Sequence, residues 1–238
     1  MSKTTVFQKI LLKLSGESLQ GNQPYGIDPA AAAETAARLK AICETTQVAV
    51  VIGAGNIFRG AFAKGIPRAT ADHMGMLATI MNALALQAAL ENVGVEAVVQ
   101  TPGGQPGVTE CFDRRQAQAA LDRGAVVIFG GGTGCPFLTT DTAAALRANE
   151  IGADALFKAT QVDGVYDDDP KTNPDARRYE TLTFSQALQD ELKVMDAAAF
   201  SLCRDQQLPI VVFKWADAEG VCPRLLQGDR SVGTIVSP

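Results

Sequence analysis

Val50-Val51-Ile52-Gly53-Ala54-Gly55 and Val126-Val127-Ile128-Phe129-Gly130-Gly131-Gly132-Thr133-Gly134 are two apolar, β-branched runs that each pass directly into a glycine cluster. Such runs are continuously apolar rather than alternating, which is the pattern of strands buried on both faces of a parallel sheet. Glycines after a strand of this kind let backbone N–H groups approach phosphate oxygens with no Cβ in the way, and a helix N-terminus beside them adds partial positive charge. Neither loop is a Walker loop. Two such loops suit an enzyme that holds two phosphorylated molecules and moves a phosphoryl group between them.

Working outward, strand-like runs fall near 9–14, 47–53, 95–100, 125–130, 154–158, 209–213 and 233–236, with helical patterns near 29–43, 71–93, 113–123, 140–152, 184–191 and 196–206. Alternation of this kind predicts an α/β fold: a three-layer α/β/α sandwich with a mostly parallel central sheet, whose ligands bind at the carboxyl ends of the strands. No linker-like stretch interrupts it, so one continuous domain over residues 1–238 is expected. The helix near 71–93 carries Met74, Met76, Leu77, Ile80, Met81, Leu84, Leu86 and Leu90, a stripe too wide for one core face, and part of it is expected to meet another subunit, the alternative being a helix buried wholly within its own chain.

Composition narrows the classes further. Hydrophobic residues make up 47% and charged residues 20%, as in ordinary globular chains. A net charge of −5 argues against non-specific binding to nucleic acid or to an anionic membrane, so an anionic substrate needs a locally positive site. Cys43, Cys111, Cys135, Cys203 and Cys222 are odd in number and never spaced as Cys-x-x-Cys, which indicates neither zinc nor a disulfide framework and favours a cytoplasmic setting. The start of the chain does not read as a secretory signal. No segment reads as the run of about 20 apolar residues that spans a bilayer.

The candidate chemistry lies beside the glycine loops. In Ile10-Leu11-Leu12-Lys13-Leu14-Ser15-Gly16-Glu17, Lys13 interrupts an apolar strand just before a turn, and burying it without an anionic partner would be costly. A lysine so placed can hold transferring phosphate oxygens as a point charge. Arg59 follows Gly55 closely and offers a planar fork for phosphate. Gly53-x-Gly55 lacks the third glycine of a dinucleotide fingerprint.

The second loop continues Gly134-Cys135-Pro136-Phe137-Leu138-Thr139-Thr140-Asp141 into a helix that Thr139 or Thr140 would cap. Capping explains a Thr-Asp pair; it does not explain glycine at 130, 131, 132 and 134. Asp141 could orient Lys13 and a second lysine, Lys158, which ends another strand ahead of Thr160. Tyr166 offers an aromatic surface for a base, while Asp163 and Asp167 to Asp169 form either a ribose or metal contact or a plain acidic turn before Pro170. His73 is the one histidine. Transfer to a phosphate acceptor needs no histidine base, because the nucleophile is already an anionic oxygen.

Taken in order, Lys-Leu-Ser-Gly-Glu at 13–17, Gly-Asn-Ile-Phe-Arg-Gly at 55–60, Asp-His-Met-Gly-Met-Leu-Ala-Thr at 72–79, Gly-Thr-Gly-x-Pro-Phe-x-Thr-Thr-Asp at 132–141, Lys-Ala-Thr-x-Val-Asp-Gly-Val-Tyr at 158–166 and Lys-Val-Met-Asp at 193–196 resemble the bacterial UMP kinase family of the amino-acid kinase superfamily. The resemblance covers nearly the whole chain. It implies that Lys13, Leu14, Ser15, Gly16, Gly55 and Arg59 line the ATP phosphates, with Thr160, Tyr166 and Asp169 around adenosine. Ala54, Asp72, Thr133, Gly134, Cys135, Pro136, Phe137, Leu138, Thr139 and Thr140 would hold UMP, with Asp72 at the ribose.

Lys13, Asp141, Lys158 and Arg59 would be catalytic, with Mg2+ bridging ATP oxygens. The family also implies a homohexamer, activation by GTP and inhibition by UTP. Two departures stand out: Ala54 where a third consecutive glycine is common, and Cys135 where asparagine is usual. A non-catalytic nucleotide-binding protein on the same fold is the rival reading, and Lys13, Lys158 and Asp141 together speak against it.

Overall fold

The computed structural model describes residues 6–58, 65–192 and 194–238. Among the described residues nine strands form one sheet: β1 (Lys9–Leu14), β2 (Gln47–Ile52), β3 (Ala97–Thr101), β4 (Glu110–Cys111), β5 (Val126–Phe129), β6 (Ala155–Thr160), β7 (Thr181–Thr183), β8 (Ile210–Lys214) and β9 (Thr234–Ser237). Their order is β4-β3-β5-β2-β1-β6-β8-β9-β7. Every pairing is parallel except β8 with β9. The sheet is thus mostly parallel, as the continuous apolar runs require.

Among the described residues seven α-helices cover its two faces: α1 (Pro29–Cys43), α2 (Arg68–Asn92), α3 (Arg114–Asp122), α4 (Thr140–Ile151), α5 (Phe184–Gln189), α6 (Ala197–Asp205) and α7 (Ala218–Leu226). Strand alternation sorts the core into two layers. Leu12, Leu14, Val50 and Ile52 face Leu39 of α1, Leu86 and Leu90 of α2 and Leu225 of α7. Leu11, Ala49 and Val51 face Leu121 of α3, Ala144 and Ala148 of α4 and Cys203 of α6. Alanine on α4 lets that helix lie close to the sheet, and its N-terminus arrives at the strand tips.

The sequence reading omitted α7, β4 and β7. Gly220 and Pro223 inside α7 break its helical signal, and strands of two and three residues carry too little pattern to read. Against expectation, α2 contains an 18-residue window of mean hydropathy 1.3 and is, by length and composition only, long and apolar enough to cross a membrane. The reading missed this because Thr79, Asn82 and many small alanines interrupt the large apolar residues. In the fold, α2 packs on the sheet through Ile80, Ala83, Leu86 and Leu90 and leaves Met74, Leu77 and Met81 exposed.

Candidate active site

Parallel register places Lys13 of β1 directly beside Lys158 of β6. Both were expected at strand ends; Lys13 stands one residue before the end of β1, and Lys158 two before the end of β6. Two ammonium groups on adjacent strands repel, and the chain answers with Asp141 in the first turn of α4. Lys158 Nζ donates to Asp141 Oδ2 at 2.7 Å, and Lys13 Nζ meets Oδ1 at 2.9 Å as a charge contact without hydrogen-bond alignment. Lys158 Nζ also donates to the Val194 carbonyl at 2.7 Å.

Burial alone would raise the Asp141 carboxyl, but the two ammonium groups outweigh it and hold the group below the usual carboxylate range. Two of the three Lys158 N–H hydrogens are thereby engaged, which leaves one for a ligand oxygen. The cluster is a fixed block with net positive charge at the sheet's carboxyl edge, where an anion fits.

Thr139 caps α4: its Oγ1 accepts from the N–H groups of Asp141 at 3.0 Å and Thr142 at 3.3 Å. The same hydroxyl donates to Asp196 Oδ2 at 2.5 Å, and Thr142 Oγ1 donates to Asp196 Oδ1 at 3.1 Å. Asp196 in turn caps α6, accepting from Ala198 and Ala199 N–H at 3.1 Å. One carboxylate therefore joins two helix N-termini, a role that the Lys-Val-Met-Asp motif alone did not specify. Lys193 of that motif lies outside the described residues.

The second glycine loop is held from three sides. Gly131 N–H donates to Thr79 Oγ1 of α2 at 2.8 Å. Gly131 and Gly134 have φ of 76° and 79°, and a Cβ on either would lie under 3.0 Å from the Pro102 ring. Thr133 Oγ1 bonds both the N–H and the carbonyl of Cys135, each at 3.1 Å. Phe137 adopts φ 71°, donates its N–H to Asp72 Oδ2 at 2.8 Å, and lies under the Arg68 guanidinium at 6.0 Å. Arg68 Nε also donates to Asp72, at 2.8 and 2.9 Å. The carboxylate expected at the ribose thus fixes the tip of this loop, with acceptor capacity left for one hydroxyl.

Ala54, Asp72, Thr133, Leu138, Thr139 and Thr140 line one cavity of about 150 Å³, together with Met76 and Thr79. Gly134, Cys135, Pro136 and Phe137 stand outside it, with Cys135 and Phe137 exposed. Leu14, Ser15 and Thr160 line a different pocket of about 390 Å³, shared with Thr35, Arg38, Lys214 and Trp215. Gly55 lines a third hollow, beside Tyr25 and Phe58. Arg59 lies outside the described residues.

The acidic turn is occupied by its own loop. Asp163 Oδ1 accepts from Tyr166 Oη at 2.6 Å, Asp167 accepts from Arg177 N–H at 2.7 Å, Asp168 accepts from Asn173 at 3.0 Å, and Asp169 accepts from Lys171 N–H at 2.9 Å. Among the described residues no group of three or more His, Cys, Asp or Glu is arranged to hold a metal ion.

The sequence reading missed Asn56 and Asn82. Gly53 N–H donates to the Leu14 carbonyl at 2.9 Å, which joins the first glycine loop to the turn after β1, and Asn82 Nδ2 donates to the Gly53 carbonyl at 2.7 Å from beneath. Polar residues at 72, 79 and 82 share the face of α2 turned to the loops, a signal hidden within the apolar stripe.

Residues 8–214 match the amino acid kinase family. Over 239 residues the chain is 54% identical to a uridylate kinase of Zymomonas mobilis, covering 99% of this chain and 98% of that one. A uridylate kinase of Erythrobacter litoralis is 53% identical over 232 residues, covering 96% and 97%. The solved UMP kinase of Ureaplasma parvum superposes with a TM-score of 0.91 at 38% identity, covering 97% of this chain and 99% of that one. With this identity along its length and this topology, the chain belongs to the amino acid kinase family and, within it, to the uridylate kinases.

Proposed function

We propose that this protein, one kinase domain over residues 1–238, transfers the γ-phosphoryl group of ATP to UMP, giving UDP and ADP. The observation that carries the reading is the Lys13–Asp141–Lys158 cluster at the seam of the two glycine loops. UMP presents an oxygen that is already anionic, so no proton has to be removed before attack. The barrier is then one of bringing anions together and of stabilising charge that shifts from the attacking UMP oxygen, as it becomes the new bridge, to the leaving ADP oxygen. Lys13 and Lys158 supply that charge. Asp141 holds both in place without a reorganisation cost at the moment of transfer, and backbone N–H groups of the glycine loops hold the non-reacting phosphates.

The donor set fits Mg2+ carried in on ATP rather than caged by the protein, because Asp141 already spends its charge on two lysines. The ion would supply further neutralisation of the ATP oxygens. On this reading Leu14, Ser15, Gly16, Gly55, Arg59, Thr160, Tyr166 and Asp169 serve ATP. The residues from Thr133 to Thr140, with Ala54 and Asp72, serve UMP. A cytoplasmic role in pyrimidine nucleotide synthesis, activation by GTP, inhibition by UTP and a homohexamer follow from the same reading. The apolar face of Met74, Leu77 and Met81 supports an assembly that covers it.

A coupled assay tests the reaction: purified protein with ATP and Mg2+ should turn over UMP far faster than CMP, AMP, glutamate or aspartate. Preference for an acidic amino acid would move the chain to another branch of its family, and nucleotide binding without turnover would favour the rival binding protein. Repeating the assay with GTP and UTP tests the regulation.

A further inference from the structure

Asn56 and Asn82 form a closed amide pair under the two loops proposed to carry phosphate. Asn82 Nδ2 donates to Asn56 Oδ1 at 2.8 Å, and Asn56 Nδ2 donates to Asn82 Oδ1 at 3.1 Å. The remaining amide hydrogens go to the Gly53 carbonyl at 2.7 Å and the Gly26 carbonyl at 2.8 Å. Gly26 N–H returns a bond to the Asn56 carbonyl at 2.6 Å. Both residues are buried, at 2% and 0% exposure. Four hydrogens on four acceptors is full satisfaction of a buried polar pair, the condition under which such a pair rigidifies its surroundings.

The pair is wedged against the donor turn as well. A Cβ on Gly16 would fall 2.2 Å from Asn56 Oδ1, 2.7 Å from the Gly53 carbonyl and 3.0 Å from Asn82 Nδ2. Gly16 therefore sits directly on the amides, and the Lys13–Gly16 turn cannot approach or leave the Gly53–Gly55 loop without displacing them. Neither side chain carries a charge or a nucleophile, and a core helix has no packing need for asparagine at this position. An apolar residue there would leave the Gly53 carbonyl unpaired.

We infer that Asn82 and Asn56 are positioning residues for phosphoryl transfer: they set the separation of the Lys13–Gly16 turn from the Gly53–Gly55 loop, whose Ala54 is assigned to UMP and Gly55 to ATP, so that donor and acceptor meet in line. The inference rests on the kinase reading above. It differs from simple structural support, because the Lys13–Gly16 turn still binds ATP and the Thr133–Thr140 loop still binds UMP when the amides are lost, and only the register between donor and acceptor suffers.

Asn82→Ala is expected to lower kcat about 10- to 100-fold, the scale of a small misplacement of reacting groups. ATP and UMP, each titrated alone by calorimetry, should bind within about threefold of the wild type. Leu86→Ala, on the same helix and wholly in the core, is the stability control and should keep kcat below its melting range. The double variant Asn56→Ala/Asn82→Ala should lose no more than the worse single one, since both act through one pair. If Asn82→Ala does not fold, Asn56→Ala at the loop end carries the same prediction.

An unchanged kcat, a loss matched by Leu86→Ala at equal melting temperature, or additive losses in the double variant would overturn the inference. Wild-type protein that fails to turn over UMP would defeat the kinase reading instead. The two failures are therefore separable.

Discussion

A lysine inside a buried strand is costly unless an anion meets it, and Lys13 and Lys158 are two such lysines side by side. Asp141 satisfies both, and the block they form remains cationic. Lys13→Ala should lower kcat by about 100-fold with a smaller change in KM, because its charge matters most while the phosphoryl is in flight. A change confined to KM, in steady-state assays, would remove it from that role.

Asp141→Asn should abolish most turnover and destabilise the fold by up to about 3 kcal/mol by leaving two ammonium groups unneutralised. Its folded carboxyl lies below the ordinary range, so its contribution to stability is present above about pH 4 and fades as pH falls through the lowered value. The gap between wild type and Asp141→Asn in urea melts should therefore be wide at pH 7 and shrink at pH 3. Lys13 was legible because a charge interrupted an apolar run. Asn82 was not, since an amide inside a helix reads as a tolerated polar residue until its partners, Gly53 and Asn56, are brought beneath the strand tips by the fold.

At the scale of elements, helix N-termini and glycine turns carry the site. Gly134 has φ 79°, and a Cβ there would lie 2.8 Å from the Pro102 Cβ. Gly134→Ala should strain the loop by about 1–2 kcal/mol from backbone conformation alone, before the clash is counted. KM for UMP should rise about tenfold while KM for ATP stays near wild type; equal rises in both would assign the loop to a shared structural role. The strands and the helices from 29 to 43 and from 140 to 152 could be read from pattern, because buried parallel strands and capped helices write strong local signals. Helix α7 could not, as Gly220 and Pro223 interrupt it, and β4 and β7 exist only through their neighbours. The reach of Asp196 from α6 to Thr139 and Thr142 is likewise a tertiary fact, spanning 54 residues or more of chain.

For the whole molecule, the parallel sheet places both lysines and both glycine loops at one edge, while two layers of helices seal its faces. Helix α2 serves two sides at once. Asp72, Thr79 and Asn82 turn to the loops, and Met74, Leu77 and Met81 turn outward. Covering that outward face by a second copy predicts that Met81→Glu shifts the protein to a smaller species in analytical ultracentrifugation. An unchanged sedimentation coefficient would place the subunit contact elsewhere.

The account as a whole depends on transfer taking place between Lys13 and Lys158. A crystal structure with UMP and a non-hydrolysable ATP analogue tests this most directly. Terminal phosphate oxygens within about 3 Å of both Nζ atoms, with UMP against the Thr133–Thr140 loop, is the expected result. Nucleotides bound away from the strand tips, or both ammonium groups turned from the phosphates, would contradict it.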